Sequence, residues 1–263
     1  MNFTGSDPAQ LCAIAVEAGQ EVMDVYRTAF RVVEKEDRSP LTEADLRADR
    51  VIRRGLERAF PQVFILSEES SSRACGPVGC LFLVDPLDGT REFLKRNDEF
   101  TVNIALVEDG SPVAGVVLAP ALDQLYYAAS GVGAWRRFGT NAPEPLRARL
   151  PASERPLRVI GSRSHASPEL SRWLAQLPVE HTFVPAGSSL KFCRLAEGAA
   201  DVYPRHGPTS QWDTAAGQAV LQVAGGAVLD ASGNELRYGL DRPVLNPPFI
   251  AVADRRMPVP PLA

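Results

Sequence analysis

Apolar residues recur every three to four positions at Leu11, Ile14, Ala15, Ala18, Val22 and Val25, which predicts a first helix reaching about Tyr26. Asp7-Pro-Ala-Gln10 ahead of it has the form of a helix start: a capping acid, a proline at the first helical position and a Gln that can close the cap. Residues 31–36 read as a short strand and 35–40 as a polar loop. A second helix is predicted over 42–60, opened by Thr42-Glu-Ala-Asp45 and stopped by Pro61. The pattern then changes to unbroken apolar runs at 63–66 and 81–84, read as buried strands. The first runs into Ser67-Glu-Glu-Ser70, the second into Asp85-Pro-Leu-Asp-Gly-Thr90. Residues 100–108 and 112–119 form a predicted hairpin around Asp109-Gly110, and 124–129 and 133–137 add two more strands, so this half is expected to hold an antiparallel sheet. Four prolines between 141 and 156 mark a boundary. Beyond it strands (157–161, 181–184, 201–203, 227–229, 249–252) alternate with helices (168–177, 188–197, 211–224), an α/β pattern. Two subdomains are expected, 1–145 and 146–263.

The stretch from Leu81 to Phe93 concentrates the candidate chemistry. The strand is predicted to finish at Asp85, turn through Pro86 and open a helix at Gly89-Thr90. That brings together two carboxylates for a hard cation, a carbonyl freed by the turn, and helix-opening N–H groups for an anion. Folding has no need of two acids flanking such a turn, and the set suits metal-assisted chemistry on a phosphate. Glu68 and Glu69, taken alone, read as a solvated loop end. At the end of a strand neighbouring Asp85 and Asp88 they gain another sense, because clustered carboxylates raise each other's pKa unless a cation is present. Asp213 in Gln211-Trp-Asp-Thr214 is by itself a first-turn acid facing the helix dipole. Asp45 is by itself a capping residue, and Thr90 a first-turn hydroxyl. On the basic side stand Gly187-Ser-Ser-Leu-Lys191, Arg205 in the constrained Tyr203-Pro-Arg-His-Gly-Pro208, and Ser162-Arg-Ser-His165. Cys193 reads as core filling, and Trp135, Trp173 and Trp212 as packing residues.

Composition narrows the function class. The 263 residues are 45% hydrophobic and 23% charged, with a net charge of −4, the balance of a globular protein and not of a basic nucleic-acid binder. No apolar run reaches the roughly 18 residues of a membrane span. Cys12, Cys75, Cys80 and Cys193 are scattered and only three histidines occur, which argues against zinc and for reduced thiols. The first eight residues have neither a basic region nor an apolar core, so no signal peptide is expected and the cytoplasm is the expected compartment.

Glu68-Glu69, Asp85-Pro-Leu-Asp-Gly-Thr90 and Trp212-Asp-Thr-Ala-Ala-Gly217 resemble the signatures of the inositol monophosphatase superfamily of Mg²⁺-dependent, lithium-sensitive phosphatases. Arg91 to Asn97, Glu99 to Leu106, Ser162 to His165, Gly187 to Cys193 and Tyr203 to Pro208 resemble its 3′(2′),5′-bisphosphate nucleotidase branch, the bacterial CysQ type. The resemblance runs from the first helix to Leu245-Asn-Pro247. It implies a layered α-β-α-β-α sugar-phosphatase fold and removal of the 3′-phosphate of adenosine 3′,5′-bisphosphate, a by-product of sulfate assimilation. It implies two or three Mg²⁺ ions held by Glu68, Asp85, the Leu87 carbonyl, Asp88 and Asp213. Asp45 and Thr90, with Glu68, would orient and activate the attacking water, and the Gly89 and Thr90 N–H groups would hold the scissile phosphate. Ser188, Ser189, Lys191 and Arg205 would meet the 5′-phosphate, with His165 near the nucleoside. The partner expected is a small nucleotide bisphosphate, with no nucleic-acid polymer and no transmembrane segment. A homodimer and peripheral attachment to the inner face of the cell membrane are left open. Arg91 where lysine is common, Asp98 in place of a frequent glycine and His206 in place of an aromatic bear on substrate preference. The alternatives are another sugar phosphatase of the superfamily, for which Lys191 and Arg205 would be superfluous, and a non-catalytic nucleotide-binding scaffold, which the intact acid set argues against.

Overall fold

The computed structural model describes residues 7–29, 32–34, 40–70, 79–149, 155–163, 168–260 and 262. In chain order its elements are α1 (Asp7–Tyr26), β1 (Val32–Glu34), β2 (Pro40–Thr42), α2 (Glu43–Ala59), β3 (Phe64–Ser67), β4 (Cys80–Asp88), α3 (Thr90–Lys95), β5 (Thr101–Glu108), β6 (Ser111–Ala119), β7 (Gln124–Ala129), β8 (Gly133–Phe138) and β9 (Glu144–Pro145). There follow β10 (Leu157–Ser162), α4 (Pro168–Leu174), β11 (His181–Ala186), α5 (Leu190–Ala196), β12 (Val202–Arg205), α6 (Gln211–Ala224), β13 (Ala227–Asp230) and β14 (Phe249–Val252).

β3 to β9 form a seven-stranded sheet in sequence order, and a five-stranded sheet runs β11-β10-β12-β14-β13. Helices α1 and α2 cover one face of the larger sheet, and α6 crosses the other. Strand β4 opens as an unbroken apolar run for this reason, and β5 is apolar at every position but Thr101, Asn103 and Glu108. Phe82, Val84, Val102, Ile104 and Leu106 enter the core with α1 and α2, while Leu81, Leu83, Ala105 and Val107 enter the core shared with α5, α6 and the smaller sheet. With both faces buried, alternation gives way to continuous hydrophobicity. α6 approaches β6 so closely that a Cβ on Gly115 would lie 2.6 Å from the Ala216 carbonyl. α5 packs on α6 and on β12 and β14, and Leu170 of α4 and Phe183 of β11 both close over Gly161. This is the α-β-α-β-α order that the resemblance implied.

The β5–β6 turn at Asp109 and Gly110, with φ of 47° and 78°, has the two positive values a two-residue hairpin turn requires. Several expectations are corrected. The first sheet is not wholly antiparallel, because β3 and β4 pair in parallel. Pro40 belongs to β2 and not to a loop, and a two-residue strand, β9, lies inside the proline-rich stretch, paired with β8. The helix expected over 188–197 is shorter, because Ser188 has a φ of 44° and Ser189 caps α5. Arg205 ends β12 and is not in a loop; Pro204 is tolerated there because pairing with β10 is confined to Val202. The cap role of the Asp7 side chain, the loop at 35–39, Cys75 and His165 lie outside the described residues. The thiols of Cys12, Cys80 and Cys193 are free, with Cys193 fully buried. No helix among the described residues is long and apolar enough to cross a membrane.

Candidate active site

β4 does not stop at Asp85. It continues to Asp88 through a bulge, with Asp85 opposite Asn103 and Asp88 opposite Thr101, so that Pro86 and Leu87 together face Val102. A bulge tolerates a proline because the extra residue leaves the ladder there. The Asp85 carboxylate accepts the Leu87 N–H at 3.0 Å, and the Leu87 carbonyl accepts the Thr90 hydroxyl at 3.2 Å. Gly89 then turns the chain into α3 with φ 87°, a conformation that favours glycine. The N–H groups of Gly89 and Thr90 open the helix and have no partner within it.

A cleft of about 480 Å³ is centred on this junction. Glu68, Asp85, Leu87, Asp88, Gly89, Thr90 and Asp213 line its acidic side, and Ser188, Ser189, Lys191, Arg205 and His206 its other side. The sequence-derived set is thus gathered in one place, with two exceptions. His165 lies outside the described residues. Asp45 is buried behind the wall, its Oδ2 accepting the Thr42 N–H at 2.8 Å and hydroxyl at 2.7 Å, the capping role assigned to it by default. Burial and the nearby Glu68 charge raise Asp45 to about 6 against these hydrogen bonds.

Electrostatics divides the cleft. Asp85 is 1% exposed. Burial first, and then the Glu68, Asp88 and Asp213 charges, push it well above the usual carboxylate range. Burial likewise raises Asp88, against the pull of Lys191 and the Ser189 N–H. Asp213 is pushed up to about 8 by burial and by Asp88, although it keeps contact with solvent at the cleft. Lys191 is lowered to about 8, chiefly by burial. Its Nζ donates to the Ser188 carbonyl at 2.5 Å and lies 5.3 Å above the Tyr203 ring. Arg205 donates to Gly207 O at 3.1 Å and Pro208 O at 2.9 Å and also bonds the Tyr203 hydroxyl, and it forms no direct ion pair with a carboxylate among the described residues. The Ser189 hydroxyl is committed to Asn103 at 2.6 Å and Thr101 at 2.9 Å, and its N–H to Asp88 at 2.6 Å.

Among the described residues no three His, Cys, Asp or Glu side chains already form a metal cage. The donor chemistry nonetheless fits Mg²⁺: hard carboxylate oxygens and one carbonyl, with a buried acid, Asp85, facing the like charges of Glu68, Asp88 and Asp213. Such a surplus is relieved by a bound cation.

Three supports were not singled out in the sequence. Asp49 accepts Ser67 Oγ at 2.6 Å and Ser70 Oγ at 2.7 Å, fastening the turn that carries Glu68. Its signal was available: Ala44, Asp45, Ala48, Asp49 and Ile52 share the buried face of α2, so an acid stood among apolar positions. Glu99 accepts Arg163 at 2.8 and 2.9 Å and the Gly187 N–H at 2.9 Å, tying the loop before α5 to the strand edge. Asn103 bridges Ser189 and, at 3.5 Å, Asp88. The bonds from Glu99 to Gly187 and from Asn103 to Ser189 join segments 88 and 86 residues apart, and no local pattern announces them.

The Inositol monophosphatase family profile matches residues 8–256. The 3′(2′),5′-bisphosphate nucleotidase CysQ of Salmonella typhimurium is 47% identical over 244 residues, covering 91% of this chain and 97% of the relative. The protein of the same description from Escherichia coli K12 is 46% identical over 250 residues, with the same coverage. The crystal structure of CysQ from Bacteroides thetaiotaomicron superposes with a TM-score of 0.83 at 37% identity, covering 97% of this chain and 99% of that one. The Thermotoga maritima IMPase superposes with a TM-score of 0.76 at 26% identity, covering 92% and 90%.

Proposed function

The chain belongs to the inositol monophosphatase family, and on that premise we propose that it is a 3′(2′),5′-bisphosphate nucleotidase, a phosphomonoesterase that removes the 3′-phosphate of adenosine 3′,5′-bisphosphate to give AMP and phosphate. The observation that carries the reading is the two-signed cleft, with Glu68, Asp85, Asp88 and Asp213 facing Lys191 and Arg205. A substrate with one phosphate needs only the acidic side and its cation. A second phosphate gives Lys191 and Arg205 a purpose. The extent of similarity to CysQ proteins supports the same substrate.

The family is metal-dependent, with Mg²⁺ typical. Glu68, Asp85, the Leu87 carbonyl, Asp88 and Asp213 would hold the metal, in our reading two or three ions. When bound, Mg²⁺ supplies positive charge for the transferring phosphoryl group and activation of water. The protein's own part is positioning. The Gly89 and Thr90 N–H groups donate to the scissile phosphate. Glu68 and Thr90 orient the water, and the Glu68 carboxylate accepts its proton, with Asp45 buried behind them. Lys191 and Arg205, with Ser188, hold the 5′-phosphate. Ser189 contributes by fastening Asp88, since its hydroxyl and N–H are both engaged. A cytoplasmic enzyme of sulfur metabolism is the setting in which this activity makes sense. Homodimer formation and peripheral membrane attachment are compatible with the reading and not required by it.

The test is phosphate release with Mg²⁺ from adenosine 3′,5′-bisphosphate and from inositol 1-phosphate, each with and without lithium. The bisphosphate is expected to be turned over faster and lithium to inhibit. A preference for the inositol ester by about tenfold or more, equivalent to 1.4 kcal/mol, would reject the nucleotidase reading.

A further inference from the structure

A second cavity, of about 690 Å³, lies beyond the C-terminal end of α5 and shares no lining residue with the cleft. Five arginines line it: Arg136, Arg147, Arg149, Arg155 and Arg158. We propose that it binds a small molecule carrying two or more phosphate groups.

Charge accounting supports this. Glu197 holds Arg136 at 2.8 Å and Arg194 at 2.7 Å, Glu144 holds Arg136 at 2.7 Å, and Asp201 takes Arg155 at 2.7 Å and Arg158 at 3.0 Å. Three carboxylates therefore serve four arginines. Arg147 and Arg149 add two further charges, and neither makes a hydrogen bond or ion pair among the described residues. This local excess of positive charge stands on a chain whose net charge is −4. The Nε of Arg136 is buried without an acceptor, a donor that the fold itself leaves unsatisfied. Glu197 is the one acid in the lining, and it is already shared between two arginines. Pro145 and the buried Leu146 add an apolar patch. Planar guanidinium forks converging on a recess of this size suit phosphate, which they bind bidentately. Among the described residues, structural ion pairing explains Arg155 and Arg158 but leaves Arg147, Arg149 and the Arg136 Nε without a partner.

Titration calorimetry with inorganic pyrophosphate, in EDTA so that the metal-free cleft repels anions, tests the site. Saturable one-to-one binding is expected. It should weaken by about tenfold or more in Arg147→Ala/Arg149→Ala, weaken less in Arg147→Lys/Arg149→Lys, which keeps the charge and loses the fork, and stay unchanged in Lys191→Ala. Arg147 and Arg149 are exposed, so the double variants should keep the melting temperature and Mg²⁺-dependent turnover of the parent. Absence of saturable binding up to about 10 mM, or equal affinity in parent and Ala double variant, overturns the proposal. Loss of binding in Lys191→Ala would move the pyrophosphate to the cleft and overturn it equally.

Discussion

Asp85 and Asp201 are both 1% exposed, yet their surroundings are opposite. Asp201 accepts two bonds of 2.7 Å from Arg155, bonds of 3.0 and 3.2 Å from the Arg158 side chain and one of 2.8 Å from the Arg158 N–H. Burial works against its charge, but these partners outweigh burial and hold it at about 2. Asp85 accepts one backbone N–H, and its strongest electrostatic neighbours are acids. Equal burial therefore says nothing about purpose; the partners do. Where the fold neutralises its own acid, the acid holds structure. Where it gathers acids without enough cations, it is prepared to receive one.

Replacing the two residues in parallel tests this contrast. Asp85→Asn is expected to lower Mg²⁺-dependent turnover by on the order of 10²–10³-fold, while the melting temperature in EDTA holds or rises because repulsion is removed. Turnover at the parental level would end the metal assignment. The parent should also gain melting temperature on Mg²⁺ addition, as any ligand of the native state requires, and Asp85→Asn should lose most of that gain. Asp201→Asn should show the reverse pattern: turnover retained at 25 °C and stability to urea lowered by about 3 kcal/mol, because two arginines lose their partner. The pH dependence sharpens it. The folded pKa of about 2 lies below the ordinary value of 3.8, so this acid's contribution is fully present above about pH 4 and is lost as pH falls toward 2. The stability gap between parent and variant should close over that interval; a gap constant from pH 7 to pH 2 would deny the ion pairing.

Smaller effects are expected around the edges of the site. Asp49→Ala should cost about 1–2 kcal/mol of stability through the lost Ser67 and Ser70 bonds and raise the Mg²⁺ concentration needed for half-maximal turnover, since Glu68 loses its anchored turn. An unchanged Mg²⁺ requirement would reduce Asp49 to a purely structural acid. Lys191→Ala should mainly raise KM for the bisphosphate by roughly tenfold and spare a substrate lacking the 5′-phosphate. Equal losses on both substrates would remove Lys191 from the specificity pocket.

Much of the site was legible because its parts are local. Asp85-Pro-Leu-Asp-Gly-Thr90 names two acids, a carbonyl and a helix start within six residues, and the bulge that replaces the expected turn leaves them at the same junction. The capping box at Thr42 follows from spacing alone and accounts for Asp45 as a cap before any function is considered, whereas Asp213, which reads as a first-turn acid facing the helix dipole, also proves to accept the Ser210 N–H. The parallel pairing of β3 with β4 was not legible, since an apolar run does not state the direction of its neighbour. The service of Ser189 to Asp88 was hidden for a related reason: a hydroxyl before a helix reads as a cap until its partner strand is in view.

By itself the sequence determined which groups could act: the acids, the helix openings, the apolar periods that bury α1 and α2, and the β5–β6 hairpin, each set by neighbours a few positions away. Only the tertiary structure decided how those groups are charged and held. Asp85 and Asp201 are the same residue in the sequence, and the distinction between them comes from segments far along the chain, because Coulomb and desolvation energies depend on distance in space and not on separation along the backbone.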